Sequence, residues 1–557
     1  MSMRRFHTLR YFSVLVLELA LLEANLGGQN SAPVGGRPAT GGFRIAGRAV
    51  NALAGAPLVR ARVTIVDTRN PQRTEWTLTA EDGSFEFQKL GAGKYALNGA
   101  KRGFISAAYE QHGQYSTAIV TGAGLDTEHL LLRLDPEASL TGTVLDESGE
   151  PVRRAVVSLY HEDRQVGVPR IHKVRTEATD DQGAYEFYPL DSGTYFVSAV
   201  ATPWYAVHPT SAAAGDGRNR PEADRSLDVA YPEAYYKDAT EPDQASPIPL
   251  RGGDRLEADI HLNPVAALHL IYRVPNQGRS PVSLPSLERP TFDGVEEVPH
   301  QSWESLAPEV FESGGVPSGA YTVTFPGMGP ESSSLELNLD LKEDGQEIDV
   351  TRGEPGSRLK AWLHMLGGEM PQSQLMVELR NSQSRIVARQ EVDAKGEAEF
   401  DDVAPGKYEV LVRGPQRAYS LVRVSSLGTE SAGDRINVTA GRSLEVSLLV
   451  AGSTTNVQGF ATRNGHPLAG AMVVLVPKDP EANRTKFRRD QSDLDGSFDL
   501  LKVIPGAYTI VAIENGWDLD WASPAAIRAY SRHAKTVTVG DNQASMHLAD
   551  AVEVQAR

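Results

Sequence analysis

The chain contains no cysteine among its 557 residues, which excludes disulfide bonds, thiolate catalysis and cysteine-ligated zinc. Aromatic residues are scarce, and 72 aspartates and glutamates outnumber 55 lysines and arginines. The net charge of -17 argues against a nucleic-acid partner, which would require a basic face. No run after residue 22 is long and apolar enough to span a bilayer.

The usual catalytic motifs are also missing from the sequence. None of the thirteen histidines has a glutamate three residues downstream, and neither an H-E-x-x-H zinc motif nor a G-x-S-x-G motif occurs. The sequence therefore predicts no enzyme, no metal site and no cofactor. Asp180 and Asp493 each stand three residues before a glycine. They fit a tight turn with an Asx hydrogen bond, and a calcium loop is the alternative.

The N-terminus has the pattern of an export signal. A basic stretch over residues 1–10 precedes an apolar stretch over 11–22. We therefore predict a signal peptide over 1–24 and a flexible leader over 25–42; the alternative is an N-terminal helix that stays on the protein. An exported chain without cysteine is expected in the periplasm or outside a bacterial cell.

A fourteen-residue repeat organises the rest of the chain. Residues 82–95 recur as 182–195, 395–408 and 495–508, and the first glycine and the last tyrosine are always twelve residues apart. A degenerate fifth copy covers 309–321. Successive final tyrosines are roughly one hundred residues apart, which predicts five repeated units.

Each unit contains short runs of alternating apolar residues, bounded by glycine and proline turns, and no long run of helical period. Asp82 and Gly83 fit a hairpin turn, because glycine tolerates positive φ. The predicted fold is all-β, a tandem array of about five small Greek-key-type β-sandwich domains, arranged like beads on a string or as a stack. The expected domains are 43–135, 136–264 with a loop insertion at 205–246, a divergent 265–356, 357–452 and 453–557.

Several motifs in these units resemble a known family. The order G-x-P-x-x-x-A-x-V occurs in the first, second and fifth units, followed by T-D-x-x-G at Thr179–Gly183, by F-x-F and by G-x-Y. This pattern resembles the carboxypeptidase regulatory-like domain. The resemblance implies a transthyretin-like β-sandwich, grouped with carbohydrate-binding-like folds, that accompanies a zinc peptidase domain. The motifs of such a peptidase are not found in this sequence.

Aromatic residues in polar loops are the candidate binding residues. Flat rings beside carboxylates and amides suit sugars, because ring faces stack on the sugar and polar groups bind its hydroxyls. The alternative is that these rings cover the open end of a sandwich or pack between neighbouring domains. The residues are Trp204, Tyr205, Tyr231, Tyr235, Tyr236, Trp517 and Trp521.

The sequence thus favours a non-catalytic, exported protein with a structural or binding role at the bacterial cell envelope. The first alternative is an array of carbohydrate-binding modules. The second is a soluble partner of an outer-membrane transport or assembly system. Expected partners are polysaccharides or envelope proteins. These functional expectations rest largely on the resemblance, because a fold does not determine a function.

Overall fold

The computed structural model describes most of the chain after the predicted leader. The predicted signal peptide, nearly all of the leader and the centre of the loop insertion lie outside the described residues. The described residues are 42–122, 124–209, 224–274, 285–298, 302–325, 335–349, 356–368, 374–382, 385–415, 419–426, 433–541 and 543–557.

The fold is almost entirely β, as predicted, and its strands form successive two-layered sandwiches. In the fifth sandwich the strand Val552–Gln555 pairs with strands of both layers and joins them into one sheet. Sandwich 1 comprises β1 Phe43–Asn51, β2 Arg62–Asp67, β3 Thr74–Leu78, β4 Ser84–Leu90, β5 Gly93–Ala100, β6 Ala107–Ala108, β7 Ile119–Thr121 and β8 Leu130–Leu134. Sandwich 2 comprises β9 Ala138–Leu145, β10 Val156–Asp163, β11 Arg170–Ala178, β12 Ala184–Leu190, β13 Gly193–Val200, β14 Val229–Ala230, β15 Ala234–Tyr235, β16 Ile248–Leu250, β17 Arg255–Glu257 and β18 Ile260–His261. The short strand β19, Val265–Ala266, leads into the next unit and pairs with β14.

The second half of the chain is built from the same parts. Sandwich 3 comprises β20 Leu268–Arg273, β21 Ser286–Pro290, β22 Val295–Glu297, β23 Ser302–Ala307, β24 Val310–Val316, β25 Gly319–Phe325, β26 Leu335–Leu341 and β27 Gln346–Asp349. Sandwich 4 comprises β28 Ser357–Met365, β29 Met376–Arg380, β30 Ile386–Glu391, β31 Glu397–Val403, β32 Gly406–Arg413, β33 Ser420–Ser426, β34 Arg435–Val438 and β35 Leu444–Ala451. Sandwich 5 comprises β36 Thr455–Arg463, β37 His466–Pro467, β38 Met472–Pro477, β39 Arg488–Gln491, β40 Ser497–Val503, β41 Gly506–Ile513, β42 Lys535–Val539, β43 Ser545–His547 and β44 Val552–Gln555.

Helices are few and short in the described residues. One α-helix covers Pro524–Arg528, and 3-10 turns cover Arg225–Leu227, Pro242–Gln244, Arg484–Lys486 and Ser531–His533. None of the helices in this part of the chain has the length and apolar character that a membrane span requires.

Every sandwich closes in the same way, with its first strand parallel to a strand at its end. These pairs are β1 with β8, β9 with β17 and β18, β20 with β27, β28 with β35, and β36 with β43. The strand that ends each unit therefore completes the sheet that the first strand began. A separate cluster of buried apolar side chains fills each of the five sandwiches.

The repeated stretch connects the two sheets of each sandwich. The prediction of a hairpin at Asp82 and Gly83 is therefore wrong. In sandwich 1, β3 pairs with β2, whereas β4 pairs with β1 in the other sheet. The turn therefore carries the chain from one sheet to the other. Gly83 has a φ of 76° there, and a Cβ would lie 2.6 Å from the carbonyl oxygen of Ala49, so only glycine fits.

The final tyrosine of each repeat forms the same hydrogen bond. Its buried hydroxyl donates to the carbonyl oxygen four residues earlier, over distances of 2.6 to 3.1 Å. This arrangement is the tyrosine corner known from other β-sandwiches. The pairs are Tyr95 with Gly91, Tyr195 with Asp191, Tyr321 with Pro317, Tyr408 with Ala404, and Tyr508 with Ile504.

The sandwiches form neither a string nor a simple stack, because the last one packs against the first two. Lys94 Nζ of sandwich 1 lies 2.7 Å from Asp493 Oδ2 of sandwich 5. The Trp521 indole donates to the carbonyl oxygen of Arg164 in sandwich 2 at 3.0 Å. The chain therefore returns on itself, and sandwiches 1 and 5 are held together by contacts between residues almost four hundred positions apart.

The neighbours along the chain are joined by ion pairs and hydrogen bonds. Arg289 of sandwich 3 pairs with Glu233 of sandwich 2 at 2.9 Å, and Arg385 of sandwich 4 pairs with Glu288 at 2.5 Å. Thr485 of sandwich 5 donates to Asp434 of sandwich 4 at 2.6 Å. Each of these pairs includes a buried carboxylate whose charge is met by a donor from the neighbouring sandwich.

Candidate functional site

The predicted binding aromatics of sandwich 2 lie in two different surroundings. Trp204 is 86% exposed, and its ring meets that of Tyr205 edge-on at 5.7 Å. The hydroxyls of Tyr205 and Tyr231 both donate to the carboxylate of Glu147. Tyr236 is half-buried beside Lys237, whose Nζ lies 5.6 Å from the ring.

Tyr235 lies inside the junction with sandwich 3 and is fully buried. The Phe292 ring of sandwich 3 sits 5.5 Å from Tyr235, 4.9 Å from Tyr160 and 5.0 Å from Phe196. Phe292 therefore enters an aromatic socket on sandwich 2. Tyr235 packs between domains, which is the alternative that the sequence left open for these rings.

Trp517 and Trp521 cover the outer face of sandwich 5. With Ile527, they pack on Met472 and Val474 of β38, so this sheet is buried on both faces. The Trp517 ring stacks on His112 of sandwich 1 at 4.8 Å, and Trp521 is only 6% exposed. Both rings thus contribute to the contacts of sandwich 5 with its distant neighbours.

The seven predicted residues do not share one groove. Trp204 is exposed, Tyr205 and Tyr231 bond Glu147, and Tyr236 lies beside Lys237. Tyr235 lies in the junction with sandwich 3, and Trp517 and Trp521 lie at the contacts of sandwich 5. Ligand binding by these rings stays a prediction, with Trp204 the most accessible of them. Only Trp521 borders the large cavity described next.

A cavity of 1140 Å³ lies where sandwiches 1, 2, 4 and 5 meet. Its walls carry seven cationic and three acidic side chains, although the whole chain is acidic. Val166 and Leu501 line it while 47% and 55% exposed, so the cavity opens to solvent. The charged lining residues are Arg170, Arg380, Lys407, Arg435, Arg484, Arg488, Arg489, Glu409, Asp490 and Asp499.

Two of the arginines come from β39 and have no carboxylate within ion-pair distance among the described residues. Arg488 donates instead to the carbonyl oxygens of Thr485, Phe487 and Lys502 at 2.7 to 3.0 Å. Burial lowers the pKa of both Arg488 and Arg489 from the usual value. Their positive charge is therefore left without a neutralising acid at the wall of the cavity.

Arg489 is held by aromatic rings. Its guanidinium carbon lies 4.8 Å from the ring centres of Tyr115 and Trp521 and 5.2 Å from that of Trp517. Its Nε is buried and has no hydrogen-bond partner in the part of the chain that the structure describes. Three rings from sandwiches 1 and 5 thus fix a cation whose donors are not all used.

Asp490 changes the charge of this wall with pH. Burial raises its pKa to about 7, although the backbone N–H of Asp499 donates to its carboxylate at 2.6 Å. The neighbouring carboxylates of Asp493 and Asp499 raise the pKa further. Below neutral pH Asp490 is protonated, and the cavity wall is then more positive.

The family comparison finds carboxypeptidase regulatory-like domains at residues 44–121 and 139–222. These segments begin at the first strands of sandwiches 1 and 2 and include their tyrosine corners. Sandwiches 1 and 2 thus each match the model of the carboxypeptidase regulatory-like domain. The resemblance seen in the sequence is confirmed for these two. The comparison with curated proteins finds no match.

Several solved structures are similar to parts of this chain at low identity. The TIE protein of Bacillus anthracis is 12% identical to this chain. The match covers 73% of this chain and 74% of the TIE protein, with a TM-score of 0.18. A streptococcal ancillary pilin is 11% identical over 52% of this chain and 100% of its own, with a TM-score of 0.19. The major pilin subunit BcpA of Bacillus cereus is 9% identical to this chain. The match covers 74% of this chain and 99% of the pilin, with a TM-score of 0.15. Scores this low support no inference about the arrangement or function of the present chain.

The two turns considered for calcium, in sandwiches 2 and 5, have different roles. Asp180 accepts from the backbone N–H groups of Gln182 and Ala184, which confirms the Asx turn. Asp493 accepts from Lys94 and from the N–H of Ala118, so its carboxylate joins sandwich 5 to sandwich 1. Both carboxylates thus have protein donors that satisfy them.

Sequence reasoning missed the cationic cavity, because its charged residues come from three different sandwiches. Arg484, Arg488 and Arg489 do stand close together in an otherwise acidic chain, and this local excess of charge is the signal that could have revealed the cavity. Among the described residues, one cluster of His161, Asp163 and His172 has the composition of a metal site. That cluster lies outside the cavity lining.

Proposed function

We propose that the protein is a non-catalytic binding protein that holds an acidic oligosaccharide in the cavity between sandwiches 1, 2, 4 and 5. The observation that carries this proposal is the excess of cationic side chains around 1140 Å³ of space in a chain of net charge -17. Arginine donors match carboxylate and sulfate groups in paired geometry, and a concave site concentrates their field. The unused donor of Arg489 supports an anionic partner.

The size and the mixed lining of the cavity support a saccharide over a single small anion. Tyr115, Phe487 and Trp521 border the same space as the arginines, and ring edges and faces pack on sugar rings. The volume of 1140 Å³ slightly exceeds the range of small-molecule sites, roughly 300 to 1,000 Å³. This function agrees with the carbohydrate-binding alternative of the sequence, but assigns it to a cavity between sandwiches instead of a surface platform.

The proposed setting is the bacterial cell envelope, following export directed by the N-terminal 24 residues. The support is the basic and apolar pattern of that segment together with the absence of cysteine in the sequence. Acidic polysaccharides are abundant on the outside of cells, so the ligand class and the location are compatible. The tandem sandwiches then serve as a frame that positions the cavity walls.

Titration with oligogalacturonate, with a neutral oligosaccharide of equal length and with inorganic sulfate tests the proposal. We expect saturable binding of the acidic oligosaccharide, at least about tenfold tighter than the neutral one and weakened by salt. Binding of sulfate alone with equal affinity would reassign the cavity to a small anion. Equal binding of the neutral sugar, or no binding of any probe, would overturn the proposal.

Two exposed cations of the cavity provide the variants. Arg170→Gln and Lys407→Gln remove exposed charge from the wall, and neither side chain has an ion pair with a carboxylate within the described ranges. Each is expected to weaken binding by about three- to tenfold. Arg153→Gln and Lys395→Gln remove exposed cations outside the cavity and are the matched controls. Equal losses in the controls would show that only the net charge matters.

A further inference from the structure

Two imidazoles and a carboxylate meet at one end of sandwich 2. His161 and Asp163 stand two residues apart on β10, so their side chains project from the same face of the strand. The register of β11 places His172 directly opposite His161. One ligating atom from each of the three residues lies within 4.8 Å of the other two, and all three residues are half-buried.

The surroundings hold these side chains near one another. His172 Nδ1 lies 3.2 Å from Asp163 Oδ2, and the His161 ring centre lies 4.8 Å from that of the corner tyrosine Tyr195. A Cβ at Gly193 would lie 2.4 Å from His161 Nε2, so the glycine leaves the space that the imidazole occupies.

We propose that His161, Asp163 and His172 bind a zinc ion or a similar divalent transition metal. Two imidazole nitrogens select zinc, cobalt or nickel over calcium and magnesium, which prefer oxygen ligands. Ligand atoms around a tetrahedral zinc are about 3.3 Å apart, so the three side chains need to approach by at most about 1.5 Å. Three protein ligands leave the fourth position to water or to an incoming ligand.

The location gives this ion a mechanical role. The cluster lies where β10 and β11 begin the loop of residues 164–169, and this loop docks on sandwich 5 through Arg164 and Gly167. A metal bridging His161 and Asp163 of β10 to His172 of β11 links the two strands at the base of that loop. Metal binding is thus expected to reduce hydrogen exchange in the loop.

Titration of the metal-stripped full chain with Co²⁺ and Zn²⁺ tests the site. We expect one ion per chain, visible absorption bands of tetrahedral Co²⁺, and their loss when Zn²⁺ displaces cobalt. Calcium and magnesium in excess are expected to leave the bands unchanged. Absence of a tetrahedral spectrum, or displacement by calcium, would overturn the proposal.

Variants separate this cluster from ordinary surface histidines. His172→Ala and Asp163→Asn each remove a metal ligand. Loss of a residue that only hydrogen-bonds a ligand weakens metal binding by about 10- to 100-fold, so each of these variants is expected to weaken it by more. His129→Ala removes an exposed histidine that pairs with Asp126 at 3.0 Å and is the control. Metal-free melting curves show whether each variant folds. Unchanged cobalt binding in a folded His172→Ala protein would place the metal elsewhere.

Discussion

The corner tyrosines explain, at the scale of single residues, why the repeat keeps its length. The hydroxyl of Tyr508 reaches back to the carbonyl oxygen of Ile504 at 2.6 Å, while its ring is buried in the core of sandwich 5. The bond spans the bend between β40 and β41, which belong to different layers. An insertion or deletion in the bend would separate donor from acceptor, so the spacing is fixed.

Removal of one corner hydroxyl is expected to destabilise its own sandwich. Tyr508→Phe leaves the carbonyl oxygen of Ile504 without this donor and is expected to cost about 1 kcal/mol of unfolding free energy. Denaturant unfolding of the full chain measures the loss. Tyr188→Phe is the control, because Tyr188 is 52% exposed and its hydroxyl bonds Glu137 at the surface. A corner variant no less stable than this control would show that the hydrogen bond contributes nothing.

Asp490 makes stability and binding depend on pH. Its pKa of about 7 in the folded state exceeds the usual value of 3.8, so the folded chain binds more protons between these two pH values. Stability is therefore expected to fall as pH rises from about 4 to 7, by on the order of 3 kcal/mol from this group. Asp490→Asn should flatten the profile, measured by thermal unfolding from pH 4 to 8. Parallel profiles for variant and parent would contradict the assignment.

Local chemistry could be predicted from the sequence wherever it depends on neighbours in the chain. The positive φ of Gly83 and the Asx turn at Asp180 both follow from turn composition. The hydrogen bond of Tyr95 could not be predicted, because hydrophobic periodicity indicates only that the ring is buried. The pKa of Asp490 was also beyond prediction, since it results from burial by other segments.

At the scale of elements, the hairpin of β10 and β11 is the part of sandwich 2 that reaches sandwich 5. The carbonyl oxygen of Gly167 accepts from the N–H of Ala522 at 3.0 Å, and the Arg164 side chain lies 3.0 Å from Asp520. A Cβ at Gly167 would lie only 2.4 Å from Cβ of Ala522. The close contact between the two loops therefore depends on a missing side chain.

Gly167→Ala is expected to separate this hairpin from sandwich 5. The substitution adds a clash to the strain of a φ of 81°, which alone costs about 1–2 kcal/mol. Hydrogen exchange should increase at residues 164–169 and around Trp521. Gly149→Ala is the control, since it has a φ of 78° with no atom within 4 Å of the added Cβ. If both variants behave alike, the clash has no consequence.

The sequence predicted most strands, but not the function of this hairpin. β11 has the sequence RIHKVRTEA, in which polar residues dominate and the apolar alternation is weak. Its pairing with β10 depends on the cross-strand register, and that register alone brings His172 to His161. The cluster was missed for this reason: its members are not spaced like the ligands of any zinc motif along the chain.

The whole molecule is organised by the contact between its first and last sandwiches. Asp493 accepts from Lys94 and from the N–H of Ala118 in sandwich 1, and Gln491 donates to the carbonyl oxygen of Glu110 at 2.7 Å. Asp180 has the same position in the repeat of sandwich 2, but among the described residues it bonds only within its own turn. The repeat predicts five similar units. It does not indicate which of the equivalent turns, such as those at Asp180 and Asp493, forms contacts with another sandwich.

Asp493→Ala is expected to open the molecule between sandwiches 5 and 1. The substitution leaves Lys94 and the Ala118 N–H without this acceptor, at a cost on the order of 3 kcal/mol to the interface. Small-angle X-ray scattering should show a larger radius of gyration than for the parent. Asp180→Ala is the control at the equivalent position. A variant as compact as the parent would show that the remaining contacts suffice.

The return of sandwich 5 to sandwich 1 also determines the order in which the protein is completed during synthesis. Lys94 leaves the ribosome long before Asp493, its partner 399 residues later. Sandwiches 1 to 4 can fold as they emerge, since domains generally fold as units from the N-terminus. The cavity is incomplete until β39 has been synthesised, because Arg488, Arg489 and Asp490 of this strand form part of its wall. A chain truncated before sandwich 5 would keep four folded units, lack Arg488 and Arg489, and leave the docking surface for Trp521 bare.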